Sequence, residues 1–122
     1  MQEHYTDYFL LPPGDYAVVV VGAKRPYKSK VKGAWLIRTK CISGTHYGGY
    51  SQGYFPPHES GDERTLNALS SLLGKAVSAG DRIRPKELKG KKGLVRVTHE
   101  YNGNWVTSID PLPEEQDQDE AA

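Results

Sequence analysis

The clearest fold signal in the sequence lies in residues 93–110, which read GLVRVTHEYNGNWVTSID. The first half alternates, with Val95 and Val97 on one face and Arg96 between them, a pattern typical of a half-buried β-strand. Asn-Gly-Asn at 102–104 then supplies hairpin-turn chemistry before a second apolar stretch. The stretch therefore predicts two antiparallel strands, at 93–101 and 105–110.

Three more strands are predicted upstream of this hairpin. Residues 15–23 are rich in valine and follow a Pro-Pro-Gly turn signal, and residues 50–55 contain a glycine and end at Pro-Pro. Between them, residues 34–42 alternate with a period of two. If the face that carries tryptophan and isoleucine packs inward, the face that carries Arg38 and Lys40 points outward.

One helix is predicted over residues 63–73, where leucines recur at a spacing of three to four. Asp62 or Ser60 can cap its first turn, and Gly74 can end it. The leucine stripe should plug one end of the sheet.

The order of three strands, a helix and two strands predicts a mainly β protein with an OB-fold, a partly open five-stranded barrel with one helix between strands three and four. Other small barrel folds are alternatives. The predicted domain spans 14–113, between an N-terminal arm at 1–13 and a tail at 114–122. OB-fold barrels commonly bind oligonucleotides or oligosaccharides. Because a fold does not by itself establish a function, the ligand must be inferred from the side chains.

The charge of the chain is unevenly distributed. All sixteen Lys and Arg residues and ten of the fifteen Asp and Glu residues precede position 111, which leaves a body of net charge +6. The tail follows two prolines, has no aromatic or β-branched residue and is expected to be disordered. It carries the five remaining acids, which predict a partner-binding segment: Glu114, Glu115, Asp117, Asp119 and Glu120.

The sequence contains no recognisable signature of catalysis or of metal binding. The four histidines show no paired ligand spacing, the single Cys41 cannot form an internal disulfide, and no phosphate-cradling glycine motif is present. We therefore expect no enzyme activity, no catalytic residue, no metal and no cofactor. No apolar run is long enough to cross a bilayer, and the first eight residues do not resemble a targeting signal, so a cytoplasmic protein without a membrane partner is expected.

The loop between the first two strands is the most basic segment, with five cations in nine residues around one tyrosine. Cations neutralise phosphates, and an aromatic face stacks on a base. The alternative is a solvated surface loop. The nucleic-acid-binding candidates of this loop are Lys24, Arg25, Tyr27, Lys28, Lys30 and Lys32.

Further candidates lie on the strands. Arg38, Lys40 and Arg96 are expected on outward faces, and the segment that joins them is rich in tyrosine, which suits a wet stacking platform. Its candidates are Tyr47, Tyr50 and Tyr54. Trp35 and Trp105 are both predicted to be core residues because they are in phase with apolar neighbours.

From Leu11 to Pro113 the chain resembles a phage-encoded family of small single-stranded-DNA-binding proteins. The resemblance rests on five stretches: LPPGDY at 11–16, residues 33–44, the leucine helix at 63–73, ELKGK at 87–91 and IDPLP at 109–113. It implies an OB-fold, a role in phage DNA replication or recombination in the host cytoplasm, and no enzyme activity. In such proteins an acidic C-terminus recruits partner enzymes and competes with DNA for the groove.

The sequence thus predicts non-sequence-specific binding of single-stranded DNA through a basic groove and tyrosine stacking, with replication or recombination proteins as further partners. The alternative is a protein-interaction module that binds a host or replication protein. A homo-oligomer remains open.

Overall fold

The computed structural model of the protein describes residues 11–25, 32–100 and 103–113. It is mainly β, with five antiparallel strands in one sheet and one α-helix, which confirms that part of the sequence prediction. The elements are β1 (Gly14–Lys24), β2 (Trp35–Cys41), β3 (Tyr50–Phe55), α1 (Glu63–Leu73), β4 (Lys92–Glu100) and β5 (Gly103–Asp110), with short 3₁₀ turns at His58–Ser60 and Pro85–Glu87.

The strands are ordered β3-β2-β1-β4-β5, so β1 lies at the centre and pairs with β2 and β4. The register of β1 against β2 shifts between Val20 and Gly22, which leaves Val21 as the extra residue of a bulge. Bulges bend a strand and increase its local twist. The central strand is therefore curved, and the sheet bends with it.

Strands β4 and β5 pair in antiparallel fashion as predicted, but β5 begins two residues earlier than expected. Gly103 and Asn104, assigned to the turn from the sequence, are paired with Glu100 and His99 inside the ladder. A hydrogen bond of 2.7 Å between His99 Nδ1 and Asn104 Oδ1 fixes one of these pairs. Only positions 101 and 102, which are outside the described residues, separate the two strands.

Helix α1 has the bounds that the leucine spacing predicts. Of the two candidate caps it is Asp62 that acts, because its Oδ1 accepts a hydrogen bond from the Thr65 N–H at 3.0 Å. Gly74 ends the helix at φ 70°, a left-handed conformation that glycine adopts without steric cost. Within the described parts of the chain, no helix is long and apolar enough to cross a membrane.

The core lies between the inward face of the sheet and α1. Trp35 is fully buried, and its indole Nε1 donates to His58 Nδ1 at 3.2 Å. Since Nδ1 accepts this bond, the proton of the neutral imidazole is on Nε2, which donates to the carbonyl of Asp81 at 2.7 Å. A buried histidine thus ties β2 to the loop after α1. Cys41 is also buried, as its position on the inward face of β2 predicts.

The edge strands β3 and β5 lie against each other, although backbone hydrogen bonds between them do not close the sheet in the described part of the chain. We call this boundary the seam. At its centre Gly53 is so close to β5 that a Cβ added to it would lie 2.6 Å from the carbonyl oxygen of Val106. The absence of a side chain at position 53 therefore allows the two strands to touch.

Two bridging residues hold the ends of the seam. Leu11, 2% exposed, donates its N–H to the Tyr50 carbonyl at 2.9 Å and accepts from Asn104 Nδ2 at 3.1 Å. At the other end Arg64 of α1 donates to the carbonyls of Thr107 (3.0 Å) and Tyr54 (3.1 Å). The bridged positions advance together along both strands, so β3 and β5 run in the same direction across the seam.

Candidate nucleic-acid interface

The strand register brings several candidate residues onto one outward surface of β1, β2 and β3. Directly paired residues in an antiparallel sheet project on the same side, about 5 Å apart at Cβ. Three cross-strand rows result, and we call their ten positions the outer face. The rows are Lys92–Val19–Lys40–Tyr50, Gly22–Arg38–Gln52 and Lys24–Leu36–Tyr54.

Burial of the intervening residues fixes the orientation of this surface. Val18 and Val20 of β1 are at most 1% exposed, and Thr39 and Ser51, which pair across β2 and β3, are also buried and bonded to each other through their hydroxyls. Because side chains alternate along a strand, the residues between these point away from the core. Arg38 is accordingly exposed.

The aromatic side chains of the outer face are accessible to a ligand. Tyr50 is 42% exposed and Tyr54 46% exposed, and they are separated on β3 by Gln52. The amide oxygen of Gln52 accepts from Arg38 Nε at 3.3 Å, which holds the guanidinium in the row between the two tyrosines. Lys40 is the direct cross-strand partner of Tyr50. Each tyrosine thus has a cation on the neighbouring strand.

Trp105 extends this aromatic surface across the seam, contrary to the sequence prediction that it is a core residue. It is half-buried and pairs with Thr98 on the side of β5 opposite the buried Val106. Its ring centroid lies 6.0 Å from that of Tyr54, with the planes inclined at 45°. The alternation along β5 could not reveal this, because the register shift between Arg96 and Val97 changes which residues face the core.

The outer face carries cations and no carboxylate at its ten positions. Its four cations are Lys24, Arg38, Lys40 and Lys92. The acids of the neighbouring rows, Asp15 and Asp110, lie farther along the sheet toward the start of β1. One end of this sheet surface is therefore electropositive, which suits a polyanion.

Arg25 has a different position from that expected for a phosphate-binding loop cation. Its guanidinium binds both carboxylate oxygens of Glu59, at 2.6 and 2.9 Å, and donates to the Gly33 carbonyl from Nε and Nη2. It also lies over the Trp35 ring, 4.8 Å from the centroid. Its hydrogen bond holds the pKa of Glu59 down at about 2. These contacts of Arg25 fix the start of the loop between β1 and β2 against the core.

Arg96 is not part of the outer face. It pairs with Asp15 across β1 and β4, and its Nε lies 3.1 Å from the Asp15 carboxylate. This hydrogen bond raises the pKa of the Arg96 guanidinium above its ordinary value. Asp15 is seven residues before Gly22, so Arg96 lies roughly 20 Å along β1 from the Arg38 row.

The remaining candidates are distributed as follows. Lys24 ends β1 inside the outer face, Lys32 is exposed before β2, and Tyr47 is 69% exposed in the turn before β3. Three loop candidates, Tyr27, Lys28 and Lys30, are outside the described residues, as are the five tail acids Glu114, Glu115, Asp117, Asp119 and Glu120.

Lys92, one of a lysine cluster before β4 that the sequence left open between an extension of the basic track and ordinary surface, belongs to the outer face. It lies at the first position of β4, directly opposite Val19. The signal that could have found it is the pairing of β1 with β4, which depends on the topology of the sheet and not on the spacing of residues in β4 itself.

No protein-family model matches the chain, and a comparison with curated proteins found no match.

Proposed function

We propose that this protein binds single-stranded DNA without sequence preference, through the outer face of β1, β2 and β3. The observation that carries the proposal is the cross-strand register, which places Tyr50 beside Lys40 and Tyr54 beside a row that contains Arg38. Bases would stack on the tyrosines while the cations neutralise the phosphates between them. A role in replication or recombination of phage DNA is what the sequence resemblance adds to this proposal.

We further propose that the fold is a partly open barrel of the OB type. The order β3-β2-β1-β4-β5, with β3 and β5 side by side and running in the same direction, supports this proposal. In such a barrel the outer face of strands two and three is the usual binding surface. The barrel would curve this surface and carry Trp105 to its border beside Tyr54.

The binding mode follows from the residue types. Arginine and lysine attract any phosphate backbone, and aromatic rings stack on any base, so neither contact reads the sequence. Stacking is worth about 1–3 kcal/mol per base, and each phosphate neutralised contributes about 0.7 to the slope of log K against log salt for single strands. A duplex offers phosphates but hides its base faces. Single strands should therefore bind more tightly than duplex of the same length.

The alternative, a surface for another protein, uses the same exposed tyrosines. Protein interfaces are depleted in lysine, whereas three of the four outer-face cations are lysines: Lys24, Lys40 and Lys92. The absence of a carboxylate at the ten positions also favours a polyanionic ligand. These two features make nucleic acid the better match.

The test is a titration of fluorescently labelled oligo-dT, oligo-rU and a DNA duplex of equal length at two salt concentrations. We expect tightest binding to a single strand and a steep loss of affinity at the higher salt. The variant Arg38→Gln/Lys40→Gln should reduce the single-strand salt slope by about 1.4. Equal or tighter binding to duplex would contradict the proposal, and tighter binding of oligo-rU would reassign the ligand to RNA.

A matched control variant distinguishes the effect of the outer face on binding from the effect of the overall charge. Lys75 follows α1 and is exposed, and Arg96 is paired with Asp15, so Lys75→Gln/Arg96→Gln removes the same charge outside the outer face. We expect the control to change affinity little and the slope by less than the site variant. Equal effects of the two variants would show that net charge alone governs binding.

A further inference from the structure

A second group of cations adjoins the outer face on the far side of β1. We call residues 86–91 the basic loop. Its three lysines are all exposed and precede Lys92 of the outer face: Lys86, Lys89 and Lys91. The loop has one carboxylate, that of Glu87, and this accepts the backbone N–H of Arg84 at 2.8 Å. The carboxylate is thus used locally, and the lysines point to solvent.

Backbone hydrogen bonds fix the basic loop against the sheet. The Val20 N–H donates to the Lys91 carbonyl at 2.8 Å, and the Gly90 N–H donates to the Val20 carbonyl at 2.8 Å. Leu88, fully buried, anchors the loop in the core. The loop therefore lies beside β1 at the bulge, between the first and second rows of the outer face.

The first row of the outer face leads directly to this loop. Lys92 and Lys40 flank Val19 on opposite sides, so their backbones lie two strand spacings apart, about 10 Å. Tyr50 lies one spacing farther, about 15 Å from Lys92. A chain that crosses the strands along this row passes from an aromatic ring over two lysines to the basic loop.

We propose that bound single-stranded DNA crosses β1 and continues over the basic loop, so that Lys89 and Lys91 contact phosphates beyond the outer face. This inference rests on the proposed function and extends the binding track past β2 and β3. Short DNA strands then bind only the outer face, whereas longer strands bind the outer face and the basic loop. The loop segment adds phosphate contacts and no stacking, because its exposed side chains are lysines.

The test compares Lys89→Gln/Lys91→Gln with wild type on oligo-dT of about 4 and about 16 nucleotides, the range of site sizes known for one OB-fold. We expect the variant to lower the salt slope by about 1.4 for the long strand and to leave the slope for the short strand unchanged. The control Lys75→Gln/Arg96→Gln has the same change of charge. It should affect both lengths equally and by less. Thermal unfolding of Lys89→Gln/Lys91→Gln should match wild type, since both side chains are exposed.

Several results would overturn the inference. Equal loss on both lengths, or a loss no larger than that of the control, would show that the basic loop acts only through long-range charge. If wild type binds the short strand but gains nothing from the longer one, the track ends at Lys92 and the proposed function stands without the extension. If wild type binds neither length, the proposed function and this inference both fail.

Discussion

Tyr54 and Trp105 contact each other across the seam between β3 and β5, with ring centroids 6.0 Å apart. They come from strands that share no backbone hydrogen bonds in the described chain. Arg64, which donates to the carbonyl of Tyr54 and to that of Thr107 beside the tryptophan, holds the two strands at this distance. The pair therefore links the seam to the surface that we propose for binding.

The first expectation concerns the energetic coupling of this aromatic pair. Tyr54→Ala should weaken oligo-dT binding by about 1–3 kcal/mol through lost stacking. Trp105→Ala should also weaken it, and the double variant should lose less than the sum, because each ring positions the other. Fluorescence titrations of the four proteins would measure the coupling. Strict additivity, or an unchanged affinity in Trp105→Ala, would remove Trp105 from the interface.

The second expectation is that the seam does not accommodate a side chain at position 53. In Gly53→Ala the new methyl would lie 2.6 Å from the Val106 carbonyl oxygen and 2.9 Å from its Cβ, so β3 and β5 must separate. We expect a loss of about 1–3 kcal/mol in the free energy of unfolding, as for other overpacked sites. Gly22→Ala is the matched control in β1, since no atom lies within 4 Å of its added Cβ. Urea denaturation that gives the same stability for both variants would show that the seam is not tightly packed.

The third expectation is a pH dependence of stability that originates at Glu59. Its folded-state pKa is lowered from 4.5 to about 2, mainly by the hydrogen bond from Arg25. The carboxylate therefore stabilises the fold at pH above 4.5, and this contribution is lost as the pH falls toward 2. The Glu59 side chain is 53% exposed, so solvent screening limits the effect to about 1 kcal/mol.

Glu59→Gln isolates this contribution. Urea denaturation at pH 6 should show the variant less stable than wild type by about 1 kcal/mol. The difference should shrink at pH 2, where the wild-type carboxylate is partly protonated. A difference of the same size at both pH values would mean that the Arg25 contact stabilises the fold by packing and not by charge.

The fourth expectation follows from the acids of the tail, which lie outside the described residues. If the outer face binds DNA as we propose, their five negative charges repel phosphates and compete with DNA for the lysines of the basic body. Deletion of residues 114–122 should tighten oligo-dT binding at low salt, and the gain should diminish at high salt. If affinity is unchanged at every salt concentration, the tail plays no part in the binding equilibrium.

Much of the fold could be predicted from local sequence patterns. The alternation over residues 34–42 gave the correct inward face of β2, and Asp62 with Gly74 gave the correct ends of α1. These features depend on residues close together in the chain, which local periodicity and capping describe well. Arg38 and Lys40 also lie on the outward face of β2 that this alternation predicts.

The parts that could not be predicted depend on contacts distant in the sequence. Trp105 leaves the core because a register shift in β4–β5 alters the alternation. Arg25 binds Glu59, thirty-four residues later, which no spacing rule for a basic loop reveals. Lys92 reaches the outer face only through the pairing of β4 with the central strand. Register and long-range ion pairs require the assembled sheet.

A titration of isotopically labelled protein with short oligo-dT, followed residue by residue in ¹H–¹⁵N NMR spectra, would locate the bound strand. We expect the largest shifts at the outer face, in Val19, Gly22, Arg38, Gln52 and Tyr54, together with the indole N–H of Trp105. The Asp15–Arg96–Ser108 row at the other end of the sheet should change little. Shifts concentrated in that row, or no shifts at saturating oligonucleotide, would contradict single-strand binding at the outer face.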